Sequence, residues 1–165
     1  MEYTIKRVHP GDESDLAYIQ TESWKAAFKN IIHPDVLEGC TQIEKATAMY
    51  RRLLAQNVGN GYLLKVEGHP HCIAWWDTSR DQDMSDYAEL ICIHSLQDNW
   101  RKGYGSHMIH TVLRDMASSG FSRVMLWVFE DNVRARRFYE AHGFIPNGKT
   151  QLRHGAAEIC YEKHL

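Results

Sequence analysis

The sequence predicts an α/β fold, a mixed sheet flanked by helices, in one domain spanning residues 1–165. Three observations carry this expectation. Residues 62–66 and 72–76 are strand-like runs joined by a polar turn around Gly68, the pattern of an antiparallel hairpin. Residues 87–95, a helix after Gly105, and residues 124–129 make a strand–helix–strand unit, whose right-handed crossover yields a parallel pair. Residues 124–129 are apolar at every position, as in a strand covered on both faces.

The remaining elements follow in order. Residues 3–8 alternate like a strand, and Pro10, Gly11 and Asp12 then turn the chain. A helix is expected from Ser14, with Leu16, Ile19, Trp24 and Phe28 at roughly helical spacing. Pro34 breaks it, and residues 36–54 read as mostly helical up to a stop near Asn57 and Gly59. Residues 77–86 are a loop rich in acid, with Asp77, Asp81, Asp83 and Asp86 against Arg80 alone. The helix after Gly105 places Met108, Ile109, Val112, Leu113 and Met116 on one face and ends at Ser118 to Gly120. A second helix over residues 133–142 closes at Gly143, and strands are expected over residues 144–149 and 157–164.

Composition excludes several classes. A formal net charge of −2 gives no basis for nucleic-acid binding. No apolar run approaches the ~18 residues of a membrane span, and the N-terminus is no signal peptide, so a cytoplasmic protein is expected. Four cysteines, Cys40, Cys72, Cys92 and Cys160, lie far apart and read as reduced core thiols. Among ten histidines, only His69 and His71 with Cys72 form a cluster, and without a second cluster of suitable spacing no metal is expected.

The most informative stretch is ELICIHSLQDNWRKGYG, Glu89 to Gly105, where an apolar strand enters a polar turn and a helix begins at once. Gly103 and Gly105 let a ligand come close to the main chain. Amides from about Arg101 to Ser106 precede the first intrahelical bonds, so they and the helix dipole favour an anion there. Arg101 and Lys102 add charge at the rim, and a phosphorylated ligand is expected. Neither a Walker loop nor G-x-G-x-x-G is present, since Met108 stands at the third glycine position.

The segment WRKGYGS, preceded by ELICIHS, resembles the GNAT family of N-acetyltransferases, whose usual pattern is [Q/R]-x-x-G-x-[G/A] after a strand. Trp100 replaces the Gln or Arg of that pattern, and Ser95 and Gln97 also depart from it. A second block, VMLWVFEDNVRARRFYEAHGF from Val124 to Phe144, resembles the family's L-x-V-x-x-x-N-x-R-A-x-x-F-Y-E-x-x-G-F. The resemblance implies a mostly antiparallel sheet with an edge hairpin at its end and a central parallel pair that splays to admit acetyl-coenzyme A. It implies pyrophosphate on Trp100, Arg101, Lys102, Gly103, Tyr104, Gly105 and Ser106, pantetheine along the main chain of Ile93, His94 and Ser95, and a contact from Asn132, which also suits a helix N-cap. The early helices would wall the acceptor cleft, making Trp24 and Phe28 acceptor candidates, although both also suit a core.

Acetyl transfer from a thioester to an amine needs a neutral amine, support for the developing oxyanion and a proton for the departing thiolate. A lysine-like amine of pKa about 10.4 costs roughly 4.6 kcal/mol to deprotonate at pH 7, an α-amine near 8 only about 1.4. By the resemblance Glu89 is the base, directly or through water, and Tyr139 the acid. A backbone N–H near Ser95 would serve the oxyanion. Cys92, one cysteine on an apolar strand, is better explained by packing than by a covalent acyl-enzyme. The expected activity is direct acetyl transfer to a primary amine, with the acidic loop and tryptophans leaning toward a small cationic acceptor, in a monomer or homodimer. A protein N-terminus or lysine, a longer acyl chain and a non-catalytic coenzyme A-binding module stay open.

Overall fold

The computed structural model describes all 165 residues. Strands β1 (Tyr3–Arg7), β2 (Asn60–Val66), β3 (His69–Thr78), β4 (Ala88–Ser95), β5 (Arg123–Phe129), β6 (Ile145–Arg153) and β7 (Ala156–His164) form one sheet. Its order is β1-β2-β3-β4-β5-β7-β6, and every neighbouring pair is antiparallel except β4–β5. Five helices flank it: α1 (Glu13–Phe28), α2 (Pro34–Cys40), α3 (Ile43–Ala55), α4 (Tyr104–Ser118) and α5 (Val133–Ala141).

The side-chain pattern assigns the helices to two faces. Met108, Ile109, Val112 and Met116 of α4 are wholly buried against Ala88, Leu90, Val124 and Leu126. Each such side chain contributes about 2 kcal/mol relative to exposure, so the start of α4 is held on a rigid element. On the other face Leu16, Ala17 and Ile19 of α1 and Tyr50 and Leu54 of α3 pack on Leu63, Ile73 and Trp75. β5 serves both faces, with Leu126 and Val128 toward α4 and Met125 and Phe129 toward the other side.

Two differences from the sequence reading have a local cause. The expected helical stretch 36–54 is two helices, α2 and α3. Thr41 leaves helical geometry at φ −119° while its hydroxyl bonds back to the Leu37 carbonyl at 2.8 Å, and Gln42 is extended. Local bonding of this kind by threonine competes with helix continuation. β6 runs on to Arg153, beyond the expected end at Lys149, because Asn147 and Gly148 form an irregularity inside a strand. Asn147 Oδ1 accepts the Lys149 amide at 2.9 Å, Gly148 takes φ +89°, and pairing with β7 resumes at Thr150.

The parallel pair is splayed. β4 and β5 are in register only at Ala88 with Val124 and Glu89 with Met125, and then part. A bulge at Ile91, where Trp75 faces Cys92 and Trp76 faces Leu90, bends β4 just past that point.

Candidate active site

The splay opens into a cleft of about 790 Å³, the size of a small-molecule site, which runs from the start of α4 to the gap between α1 and the β6–β7 hairpin. Gly103 caps α4 at φ +88°, a left-handed geometry that glycine tolerates, and a Cβ built there would meet nothing within 4 Å. The first amide to bond within α4 is that of His107, to the Gly103 carbonyl at 3.2 Å. Amides 101 to 106 therefore make no hydrogen bond inside the protein, and Arg101 is bent to φ +63° among them. Such a run of free donors at a helix start is an anion cradle.

Side chains brace this cradle. Trp100 Nε1 donates to the Ser95 carbonyl at 3.0 Å, tying the loop to the end of β4. The Arg134 guanidinium lies 3.5 Å above the Trp100 ring, so α5 brings a cation to the tryptophan that stands at the Gln or Arg position of the resembled pattern. Lys102 turns outward to Asn99 at 2.9 Å. A Cβ on Gly105 would meet the Phe138 ring at 3.2 Å, so α4 and α5 approach closely there. His142 closes the same contact: its Nδ1 must donate to the Phe138 carbonyl at 2.7 Å, so its Nε2 accepts from the Ser106 hydroxyl at 3.1 Å. Tyr104 is buried at the floor of the cradle against His71.

Asn132 caps α5, its Oδ1 accepting the Ala135 amide at 3.3 Å, while its amide nitrogen has no protein partner and the residue lines the cleft. Tyr139 lines it too. Its ring is buried in the α4 core, but its hydroxyl makes no hydrogen bond within the protein and is not sealed off. Burial pushes this phenol well above its usual range, so it stays protonated at neutral pH. Ile93, His94 and Ser95 line the cleft along the part of β4 that has left β5.

At the other end, Glu89 stands apart from the expected cluster. It is only 3% exposed, does not line the cleft, and is held by Arg80 through Nε at 3.1 Å, Nη2 at 2.7 Å and the backbone amide at 3.0 Å. Arg80 occupies the cleft wall in front of it. Trp24 and Phe28 both line the cleft, edge to face at 5.1 Å, with Phe28 continuing onto Phe129. Trp24 Nε1 donates to His94 Nε2 at 3.1 Å, which puts the imidazole proton on Nδ1 and removes Nε2 from any role as a base.

The acidic loop is largely neutralised. Asp81 pairs with Lys149 at 2.7 Å and Asp86 pairs with Arg123, leaving Asp77 as its only acid on the cleft. Sequence reasoning missed Arg80, Arg153 and Glu158, all cleft residues. Their placement depends on a loop conformation and a hairpin register that no local motif signals.

The His–Cys cluster disperses: His69 is exposed, while His71 is buried with Nδ1 unpartnered and Cys72 is buried beside it. No group of three or more His, Cys, Asp or Glu side chains could hold a metal ion. Burial also pushes the Cys92 thiol up to about 12, which makes it a poor nucleophile.

Burial lowers His71 to about 4, and burial followed by the Arg153 charge lowers His94 to about 4. A histidine depressed in the folded state binds its proton more readily when unfolded. Its contribution is intact above about pH 6.5 and is lost as pH falls toward 4. Thermal melts should show the protein losing roughly 1–2 kcal/mol per histidine between pH 7 and 5. A flat profile over that interval would contradict their neutral burial.

A model of the acetyltransferase (GNAT) family matches residues 26–144. The chain is similar to the uncharacterized N-acetyltransferase YuaI of Bacillus subtilis, 24% identical over 144 residues, or 84% of this chain and 78% of that protein. Its fold is similar to that of PaiA N-acetyltransferase from Thermoplasma acidophilum in complex with coenzyme A, with TM-score 0.82 and 17% identity over the whole of both chains. It is also similar to that of a ribosomal-protein-alanine N-acetyltransferase from Brucella melitensis, with TM-score 0.76 and 13% identity over 98% and 99% of the chains. At these identities the structural likeness speaks for the fold alone. No helix is long and apolar enough to cross a membrane.

Proposed function

The chain belongs to the GNAT family of acetyltransferases, and from that membership we propose that it moves an acetyl group from acetyl-coenzyme A directly to a primary amine held at the α1 end of the cleft. The observation that carries this is the run of free amides 101 to 106 at one end of a cleft whose wall holds the Tyr139 hydroxyl. The cradle fits a pyrophosphate: unpaired donors, the dipole of a 15-residue helix, open space at Gly103, and Arg101 and Arg134 as cations. The unpaired edge of β4 at Ile93, His94 and Ser95 suits an extended amide-bearing arm, with the free nitrogen of Asn132 as a further donor.

Bound there, acetyl-coenzyme A supplies an activated thioester, whose carbon–sulfur bond is exchanged for carbon–nitrogen. The protein's part is positioning and proton handling. Tyr139, kept protonated by burial, gives the departing sulfur its proton and recovers one from the amine through solvent. A β4 amide near Ser95 would support negative charge on the acetyl oxygen. Glu89, with both carboxylate oxygens engaged by Arg80, serves as base only through a solvent molecule. With one loop acid left on the cleft, the case for a purely cationic acceptor rests on Asp77 and Glu158 alone.

The test is acceptor-dependent thiol release from acetyl-coenzyme A across a panel of amines, amino acids and peptides, with mass spectrometry of the product. Turnover giving an N-acetylated amine is the expected result. Saturable binding of acetyl-coenzyme A with no turnover on any amine would overturn it in favour of a non-catalytic binding module.

A further inference from the structure

The acceptor end of the cleft contains two opposite charges that the fold brings close and leaves unmatched. Glu158 lies on the cleft wall, 5% exposed, and its one hydrogen bond is from Gln151 Nε2 to Oε1 at 2.8 Å. A carboxylate can accept about four hydrogen bonds, so a buried one with a single neutral donor is short of partners. The nearby Arg80 guanidinium is engaged with Glu89. Arg153, also on the cleft, is exposed and makes no hydrogen bond or ion pair.

Both belong to the β6–β7 hairpin. Glu158 faces Gln151 and Arg153 faces Ala156, so by alternation Gln151, Arg153, Ala156 and Glu158 share one side. Glu158 and Arg153 stand diagonally, with backbones about 7–8 Å apart. They do not pair with each other. Trp24, Phe28 and Trp127 line the same cleft.

We propose that the acceptor is a free amino acid with an apolar or aromatic side chain, its α-ammonium on Glu158 and its α-carboxylate on Arg153. This inference rests on the acetyltransferase reading above and names the substrate of that site. The ammonium gives one proton to Glu158, which passes it to solvent. The freed lone pair forms the carbon–nitrogen bond as the carbon–sulfur bond breaks, and the nitrogen's second proton is balanced by the one Tyr139 gives to the sulfur. Glu89 is then a positioning residue: it holds the Arg80 guanidinium, which feels the Glu158 charge, out of direct ion pairing with Glu158. An α-amine asks less of a base than a lysine amine does.

The experiment compares kcat/KM for amino acids with that for the matching amines lacking the carboxylate: phenylalanine against phenethylamine, leucine against isoamylamine. Wild type should prefer the amino acids by about 10- to 100-fold, the worth of one charged hydrogen-bonded contact. Arg153→Ala should reduce that preference to within about threefold of unity, and Glu158→Gln should lower kcat/KM for both classes by a similar factor. Titration with acetyl-coenzyme A serves as the fold control for both variants. Preference for the decarboxylated amines, or a preference unchanged in Arg153→Ala, would overturn the inference while leaving the acetyltransferase reading intact. Turnover of other amines but neither of these classes would also overturn it alone. Loss of acetyl-coenzyme A binding in wild type would instead remove the reading beneath it.

Discussion

Tyr139→Phe should lower kcat by about two to three orders of magnitude while the affinity for acetyl-coenzyme A changes by less than about threefold. The substitution removes one oxygen that bonds to nothing in the protein, so packing of the ring against Phe138 and Phe144 is retained. The effect would therefore report the proposed proton transfer to the departing sulfur, and it separates kcat from binding. The pH profile adds a second constraint. Because burial pushes the Tyr139 phenol upward, its deprotonation should produce no falling limb below about pH 10, and kcat/KM should rise with pH as the amine loses its proton. A variant within threefold of wild-type kcat, or a wild-type rate that falls between pH 8 and 9, would assign the acid elsewhere.

Gly103→Glu should abolish measurable binding of coenzyme A, a loss of 100-fold or more. Two effects combine at this position. A side chain at φ +88° costs about 1–2 kcal/mol of backbone strain, but nothing within 4 Å blocks it, so the fold should survive with a modest drop in melting temperature. The added carboxylate then sits among the free amides of residues 101 to 106 and competes with phosphate for them. Gly103→Ala carries the strain without the charge and should lose far less affinity. Equal losses in the two variants would mean that backbone geometry, and not the anion cradle, is what the glycine protects.

The parts legible in the sequence are those written locally. A strand, two glycines and an amphipathic helix gave the cradle from adjacent residues, and the uniformly apolar β5 announced a strand covered on both faces. The splay came from resemblance and is seen in the two-residue register of β4 with β5. What stayed hidden depends on residues far apart in the chain. Glu89 reads as a cleft carboxylate until the loop folds back and lays Arg80 across both its oxygens. The acidic loop reads as an attractive field until Lys149 and Arg123 arrive from other elements. Trp100 reads as a lost cation until Arg134 stacks on it from α5. Glu158 carries no signal at all without the β6–β7 register, and the irregularity at Asn147 and Gly148 hides that register by imitating a terminal turn.

The free amides at the start of α4, with the splay behind them, are proposed to bind the donor. Calorimetric titration of the wild-type protein with acetyl-coenzyme A, coenzyme A and ATP tests it most directly. Saturable one-to-one binding of both coenzyme A forms is expected, with ATP weaker because it lacks the pantetheine arm proposed to run along β4. Absence of saturable heat with either coenzyme A form would contradict it, and the glycine turn would then be an element of the fold alone.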